Sequence, residues 1–498
     1  MKKIKNNITF LNIFSNLFLQ FVTIISGFII PHTVLNIFGS EVNGLVSSLT
    51  QFLNYISLFE GGLGGVVLAN LYGPLYSKDK NKISSVVKTT QKFYNKLSLY
   101  FIFYTVIIAL IYPLITNNNF SYIYIFTLTL ILSITLFIQY NFSLSYKLLL
   151  QADKKVYIVS FTQSFLTIIN VILFTGISKV LPNIHILKLI SASIFILQPL
   201  IFNFYVKKHY SIDRNVSTDP KLLKSRWDGF AINIAAFIHN NTDITVLTVF
   251  TNLKIVSVYS IYSLFTTGLK KLIQSISSAI GPSVGHLYAS GNKVQLDKKF
   301  ELYEYTIFFI TFYLFVIGGL LITPFVLIYT KNIIDINYNQ KLFGILIVIA
   351  ELIYCIREPY VTLAYSANKF KEMKKHAYIE AVLNILISII LVINFGLIGV
   401  AIGTIIAMSY RTLYQVYYLK NNIIYRSPYK FIYKFIVFGI LSFIGILLCN
   451  IFIPINKINI INLIIHGILY SSILFVIYVI GTIIFMKKDF VEIKKIIK

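Results

Sequence analysis

Apolar residues occupy this chain in long runs, each ended by a short stretch rich in Lys, Asn and Ser. Runs of about 20 residues suit neither an alternating, half-buried strand nor a surface helix with a single apolar stripe. They match the length an α-helix needs to cross a hydrocarbon layer of about 30 Å. A window of about 19 residues predicts fourteen crossing helices, at 8–30, 43–72, 97–115, 121–146, 156–178, 184–206, 228–250, 255–285, 303–330, 342–366, 377–394, 397–419, 431–453 and 460–486. The opening "MKKIKNNITFLNIFSNLFLQFVTIISGFII" is basic and then apolar like a signal peptide. Its apolar run is too long for one and no small-residue cleavage site follows, so it is expected to be the first spanning helix. The expectation is an all-α polytopic membrane protein.

Composition agrees, since 498 residues with 57% hydrophobic and 12% charged side chains cannot cover a water-soluble surface of that size. Cys355 and Cys449 both lie in apolar runs, which excludes a disulfide framework or a paired thiolate metal site. A net charge of +26 would suggest nucleic acid in a soluble protein. The positions of the charges give it another meaning. With the N-terminus placed in the cytoplasm, the inside segments hold 34 of the 44 cations, and the outside loops hold Lys179, Lys188, Lys254, Lys331, Lys341 and Lys457. Short loops obey such a bias because cations resist transfer across the bilayer, so both termini are expected to be cytoplasmic and the inside loops to touch anionic membrane lipids.

Two loops after predicted helices repeat weakly. "GPLYSKDKNK" and "GHLYASGNK" align Leu75-Tyr76 with Leu287-Tyr288, and "QADKK" and "SANKF" align Ala152-Asp153-Lys154 with Ala367-Asn368-Lys369, at offsets of 212 and 215. Parallel repeats of this kind predict two six-helix lobes, 1–226 and 227–424, around a cavity, followed by two additional helices in 425–498.

Ionisable side chains in crossing helices are costly and mark candidate pathways. Lys270, Lys271, Arg357 and Arg411 are the cations left once the inside and outside segments are counted, and four acids, Glu60, Asp243, Glu351 and Glu358, offset them. His239 and Asp243 in "HNNTDITVL" are four residues apart and share a helix face, as an interhelical cluster or as a site coupled to H+ or Na+. Glu60 and Lys271 fall at equivalent depths of the two lobes, either paired with each other or forming part of a cationic site for an anionic head group. Pro359 in "ELIYCIREPY" predicts a kink beside Arg357, whose planar fork suits phosphate as well as a local carboxylate. Asn12, Asn16, Gln20 and Thr23 make one polar stripe, as packing contacts or as cavity lining. There is no GxxxxGK[ST] phosphate loop, no DxD pair in a loop and no long outside loop. These point away from ATP hydrolysis and from an enzyme or resident cofactor.

The six, six and two arrangement, "NNTDITVL", "GPLYS" and the stretch "IREPYVTLAYSANKFKEMKKHAYIEAVLNILISIILVINFGLIGVAIGTIIA" resemble the bacterial polysaccharide-repeat flippases of the Wzx type. Those belong to the multidrug/oligosaccharidyl-lipid/polysaccharide (MOP) exporter superfamily. The resemblance implies a transporter in the bacterial cytoplasmic membrane that moves an undecaprenyl-pyrophosphate-linked oligosaccharide to the outer leaflet by alternating access. It further implies Asp243 and Arg357 as cavity residues, an ion gradient as driving force, and a polysaccharide polymerase and chain-length regulator as partners. Two relatives in the same superfamily are alternatives. A drug/cation antiporter usually has twelve helices, and a lipid II flippase has a more cationic cavity. From a different class, a membrane transferase would need His239 and Asp243 at the interface.

Overall fold

The computed structural model describes residues 2–116, 119–213, 215–219, 222, 237, 241–367, 369–424 and 426–487. Helices account for nearly all of them, and no strand occurs among the described residues. Among the described residues, ten helical stretches are by themselves long and apolar enough to cross a membrane. The chain is a multi-pass membrane protein. It divides into two compact units, Met1–Phe237 with Asn252–Ser257, and Ile238–Thr251 with Val258–Lys498.

In the first unit, α1 runs Lys2–Asn54 and changes direction at Gly39, whose φ of 80° and ψ of −178° leave the helical region. Its 53 residues correspond to about 80 Å at 1.5 Å per residue, far more than one bilayer crossing. The two expected spans 8–30 and 43–72 therefore meet at this bend. A 3₁₀ turn, Tyr55–Glu60, follows, and then α2, Leu63–Ser77. Between them Gly61 and Gly62 have φ of 54° and 78°, a left-handed pair that side chains with a Cβ rarely adopt. The predicted second span is thus broken immediately after Glu60.

α3 (Lys80–Ile115) is capped by Asp79, which accepts from the Lys82 N–H, and α4 (Tyr122–Ile138) is capped by Ser121. A π turn, Gln139–Ser143, joins α4 to α5 (Leu144–Ala152). α6 (Val156–Val180) and α7 (Ile184–His209) complete the unit. Among the described residues its interior includes two apolar clusters, one around Leu63, Tyr94, Phe101 and Leu149, the other around Leu45, Leu49, Leu128 and Phe174. The start of α1 is pinned to α6 by Asn12, which donates to the Lys154 carbonyl at 2.7 Å and accepts from the Tyr157 N–H at 2.9 Å.

In the second unit, residues 241–250 are helical, followed by α8 (Leu253–Ala289, whose first residues to Ser257 count with the first unit), α9 (Lys293–Tyr329), α10 (Lys341–Ile356), α11 (Glu358–Ser366), α12 (Phe370–Phe395), α13 (Leu397–Asn422), α14 (Tyr429–Phe452) and α15 (Ile460–Phe485). Local devices recur from the first unit. Asn292 caps α9 as Asp79 caps α3. The Lys155 N–H reaches the Leu150 carbonyl after α5, as the Lys369 N–H reaches the Ala364 carbonyl after α11. Both units interrupt the helix before that turn, at Gln139–Ser143 and at Arg357. α12 and α13 pack so closely that a Cβ on Gly403 would lie 2.4 Å from the Ser388 hydroxyl.

Candidate functional site

The second unit gathers a line of buried charges, placed by the breaks and close helix approaches just described. Asp243, 7% exposed, stands on the helical segment 241–250. Tyr259 of α8 donates to its Oδ2 at 2.8 Å, and Thr404 of α13 lies 3.3 and 3.2 Å from Oδ1 and Oδ2. The Thr404 hydroxyl also faces the Val400 carbonyl at 3.1 Å and accepts from Asn384 Nδ2 of α12 at 3.0 Å. One hydroxyl proton cannot serve both acceptors at full strength. Asn384 Oδ1 and Ser388 Oγ, one helical turn apart, are buried with no hydrogen-bond partner among the described residues. No cationic side chain lies within 4 Å of Asp243 among the described residues. A buried carboxylate with the Tyr259 and Thr404 hydroxyl oxygens on it offers hard oxygen donors to a small cation, and Asn384 is bonded to Thr404 across the close α12 to α13 contact.

Lys270 of α8 is next along the line. It pairs with Glu351 of α10 at 3.1 Å and lies 5.0 Å from the centre of the Tyr354 ring. Arg357 lies 4.8 Å from the same ring centre, so one aromatic side chain bridges two cations. At Arg357 the helix ends and restarts at Glu358, because Pro359 has no N–H to give to the previous turn. The break is therefore where the proline predicts it, and the Arg357 carbonyl is taken up by the Tyr360 and Val361 N–H groups at 3.0 and 3.1 Å. The Arg357 side chain pairs with Glu380 of α12 at 3.0 Å, and the other oxygen of Glu380 meets Arg411 of α13 at 2.5 Å. Glu358, half-buried, faces Gln274 and Ser277 of α8.

A second buried cluster joins α9 to α14. Glu304, 0% exposed, receives Arg426 at 2.5 Å, Lys434 at 2.8 Å and the Tyr360 hydroxyl. Glu301 extends it outward to Lys430 at 3.2 Å. Asp297, Glu301 and Glu304 share one face of α9, and residues 426, 430 and 434 are spaced to share one face leading into α14.

Of the residues expected from sequence, Asp243, Lys270, Arg357, Glu358 and Arg411 thus belong to this unit's polar line. Glu60 lies in the first unit, half-buried, accepting from the Tyr140 hydroxyl at 2.5 Å with the charge of Lys147 acting on it. Lys271 is exposed, on a different side of α8 from Lys270. Asn16 is exposed on α1, and the stripe's partnered member is Asn12, which serves helix packing. His239 lies outside the described residues, as does Trp227.

Two expectations are corrected. The balance of four acids against four bases omits Glu304 and Glu380, both within predicted spans and both buried. Arg426 and Lys434, counted among the 34 inside cations as orientation signal, are 6% and 3% exposed and bound to Glu304. The rule that singled out Asp243, an acid with apolar flanks, applies equally to Glu380 in "HAYIEAVLN".

No family model matches the chain, and no curated protein matches it. Solved structures do. One described as the lipid II flippase MurJ in an inward closed conformation superposes with a TM-score of 0.73 at 19% identity, over 96% of this chain and 99% of its own. The chain has the fold of these flippases and exporters. An inward-facing multidrug resistance MATE family transporter of the MOP superfamily gives 0.60 at 14% identity over 80% of this chain and 95% of its own. The eukaryotic MATE transporter AtDTX14 gives 0.52 at 15% over 81% and 91%. The MurJ likeness extends over nearly all of this chain, whereas the MATE likenesses leave about a fifth of it unmatched.

Proposed function

We propose that the chain is a flippase that moves a polyprenyl-pyrophosphate-linked oligosaccharide from the cytoplasmic to the outer leaflet by alternating access, coupled to a cation at Asp243. The single observation that carries the coupling is the unmatched carboxylate. Asp243 is buried, has two hydroxyl neighbours and no cationic partner within 4 Å among the described residues, and stands by the unpartnered oxygen of Asn384. A buried charge in that state calls for a proton or a small cation. The Tyr259 and Thr404 oxygens on the carboxylate, with the Asn384 amide oxygen unpartnered among the described residues, favour Na+ over H+, because a small cation uses several oxygen donors where a proton uses one.

The cargo follows from physics and from the fold. A sugar-pyrophosphate head group cannot cross hydrocarbon unaided, while its polyprenyl tail can remain in lipid. Such transport makes and breaks no covalent bonds. It needs two conformations that cargo and ion populate differently. The likeness to a lipid II flippase along nearly the whole chain supports a lipid-linked cargo over a drug, and keeps lipid II itself as the second reading. The paired state of Lys270, Arg357 and Arg411 with Glu351 and Glu380 favours the polysaccharide repeat unit over the more cationic cavity expected for lipid II.

The test is deletion of the gene, extraction of polyprenyl-linked saccharides, and return of wild-type or Asp243→Asn copies. Lipid-linked repeat units should accumulate on the cytoplasmic side and be cleared by the wild type alone. Accumulated lipid II would move the assignment to the second reading. Sensitivity to cationic drugs without any accumulated lipid-linked sugar would overturn both.

A further inference from the structure

The first unit contains a cavity of about 890 Å³ between α3, the π turn with α5, α7 and the chain at 210–213. On α7 its wall is formed by Ile196, Leu200, Asn203 and Lys207, spaced four, three and four residues apart on one helix face. That face passes from apolar to polar to cationic over about 16 Å. The opposite wall has the same polarity. Ile138 and Phe142 lie deep in the α4 to α5 crossing, whereas Lys88 is near the start of α3. The ends of α5 and α7 lie together, since the Tyr210 hydroxyl donates to Asp153 at 2.5 Å. The lysine end of the cavity is therefore at one membrane face, and the apolar end points toward mid-bilayer.

The apolar end is uncovered. Leu200 and Phe142 are 57% and 52% exposed. The π turn that presents Phe142 has its Asn141 carbonyl occupied by Gln91 Nε2 at 2.5 Å, so the irregular backbone is satisfied within the wall. At the polar end, Lys88 gives one of its three donors to the Val216 carbonyl at 2.8 Å and Lys207 is exposed. The nearby Asp213 carboxylate is engaged by the Asn215 N–H at 2.8 Å. A volume of this size is at the upper end for a small-molecule site and far exceeds what a free phosphate would fill.

We propose that this cavity is a binding site for one anionic phospholipid of the adjacent leaflet, with its phosphate at Lys88 and Lys207 and an acyl chain along Ile138, Phe142, Ile196 and Leu200. This goes beyond the general attraction of basic loops to anionic membranes, because the site has a chain-binding half. It is also independent of the cargo proposed above.

The test is native mass spectrometry of the full-length protein in detergent, with phosphatidylglycerol or phosphatidylcholine added. Phosphatidylglycerol should be retained preferentially. Lys207→Gln, a change at an exposed residue, should lower its occupancy about five-fold, and Lys88→Gln with Lys207→Gln about 25-fold. Leu200→Trp should fill the apolar end and reduce retention of both lipids. Equal retention of the two lipids by the wild type, or a preference for phosphatidylglycerol that survives the double lysine change, would overturn the site. Displacement of phosphatidylglycerol by an equal concentration of glycerol 3-phosphate would overturn its chain-binding half.

Discussion

Glu380 is the most exacting place to test whether the buried charges hold the second unit together. It is 3% exposed, and its two oxygens meet Arg357 at 3.0 Å and Arg411 at 2.5 Å, themselves 7% and 5% exposed. Glu380→Gln keeps the volume but leaves two guanidinium groups in a dry site without their anion. Breaking a buried pair from one side costs about 3 to 5 kcal/mol, most of it the uncompensated charge left behind. At about 2 to 4 °C per kcal/mol for a unit of roughly this size, the melting temperature should fall by roughly 6 to 20 °C. A thermal scan of the purified full-length protein in detergent measures this. Adding Arg411→Leu to Glu380→Gln should recover part of the loss, because one of the stranded cations is then removed. A fall below about 2 °C for Glu380→Gln would place the pair in the range of exposed ion pairs and would falsify the view that these residues are dry.

Two further perturbations test the neighbouring geometry. In Gly403→Val the new Cβ would lie 2.4 Å from Ser388 Oγ and 2.9 Å from the Ser388 nitrogen, so α12 and α13 must part, costing about 1 to 3 kcal/mol. The same change should weaken any Na+-dependent rise in melting temperature, whereas an unchanged rise would separate the Asp243 oxygens from the α12 to α13 contact. Tyr140→Phe removes the hydroxyl that donates to Glu60 at 2.5 Å and should destabilise by about 1 to 3 kcal/mol. Glu60→Gln in the same background should then cost almost nothing more, and additive effects in this double-mutant cycle would show that the two side chains do not interact.

The spans were legible because each is a run of apolar residues that only a membrane explains. Even the proline break at Arg357 and the bend between the first two spans follow from local sequence. The site was legible in part, because an ionisable side chain inside an apolar run stands out whatever it packs against, as Glu60, Asp243, Lys270 and Arg357 do in the predicted spans 43–72, 228–250, 255–285 and 342–366. Partners were less legible. Arg357 has an adjacent acid at Glu358, yet its ion-pair partner is Glu380, 23 residues away on α12. No local rule predicts a pairing made by tertiary packing. Arg426 and Lys434 misled for a related reason, since a cation near a helix end counts toward orientation whether or not a buried carboxylate awaits it.

Glu304 and Arg426 are 122 residues apart in sequence, and synthesis runs from the first to the second. At about 5 to 20 residues per second, roughly 6 to 24 seconds pass between their departures from the ribosome. During that interval α9 must enter the bilayer with a carboxylate whose cationic partners do not yet exist. The helix is therefore committed to the membrane provisionally, protonated or lingering near the interface, and settles only when Arg426, just before α14, and Lys434, on it, arrive. The final pair of helices then acts as the step that completes biogenesis, and a chain truncated before residue 426 would be left with a half-inserted α9 for quality-control proteases to find.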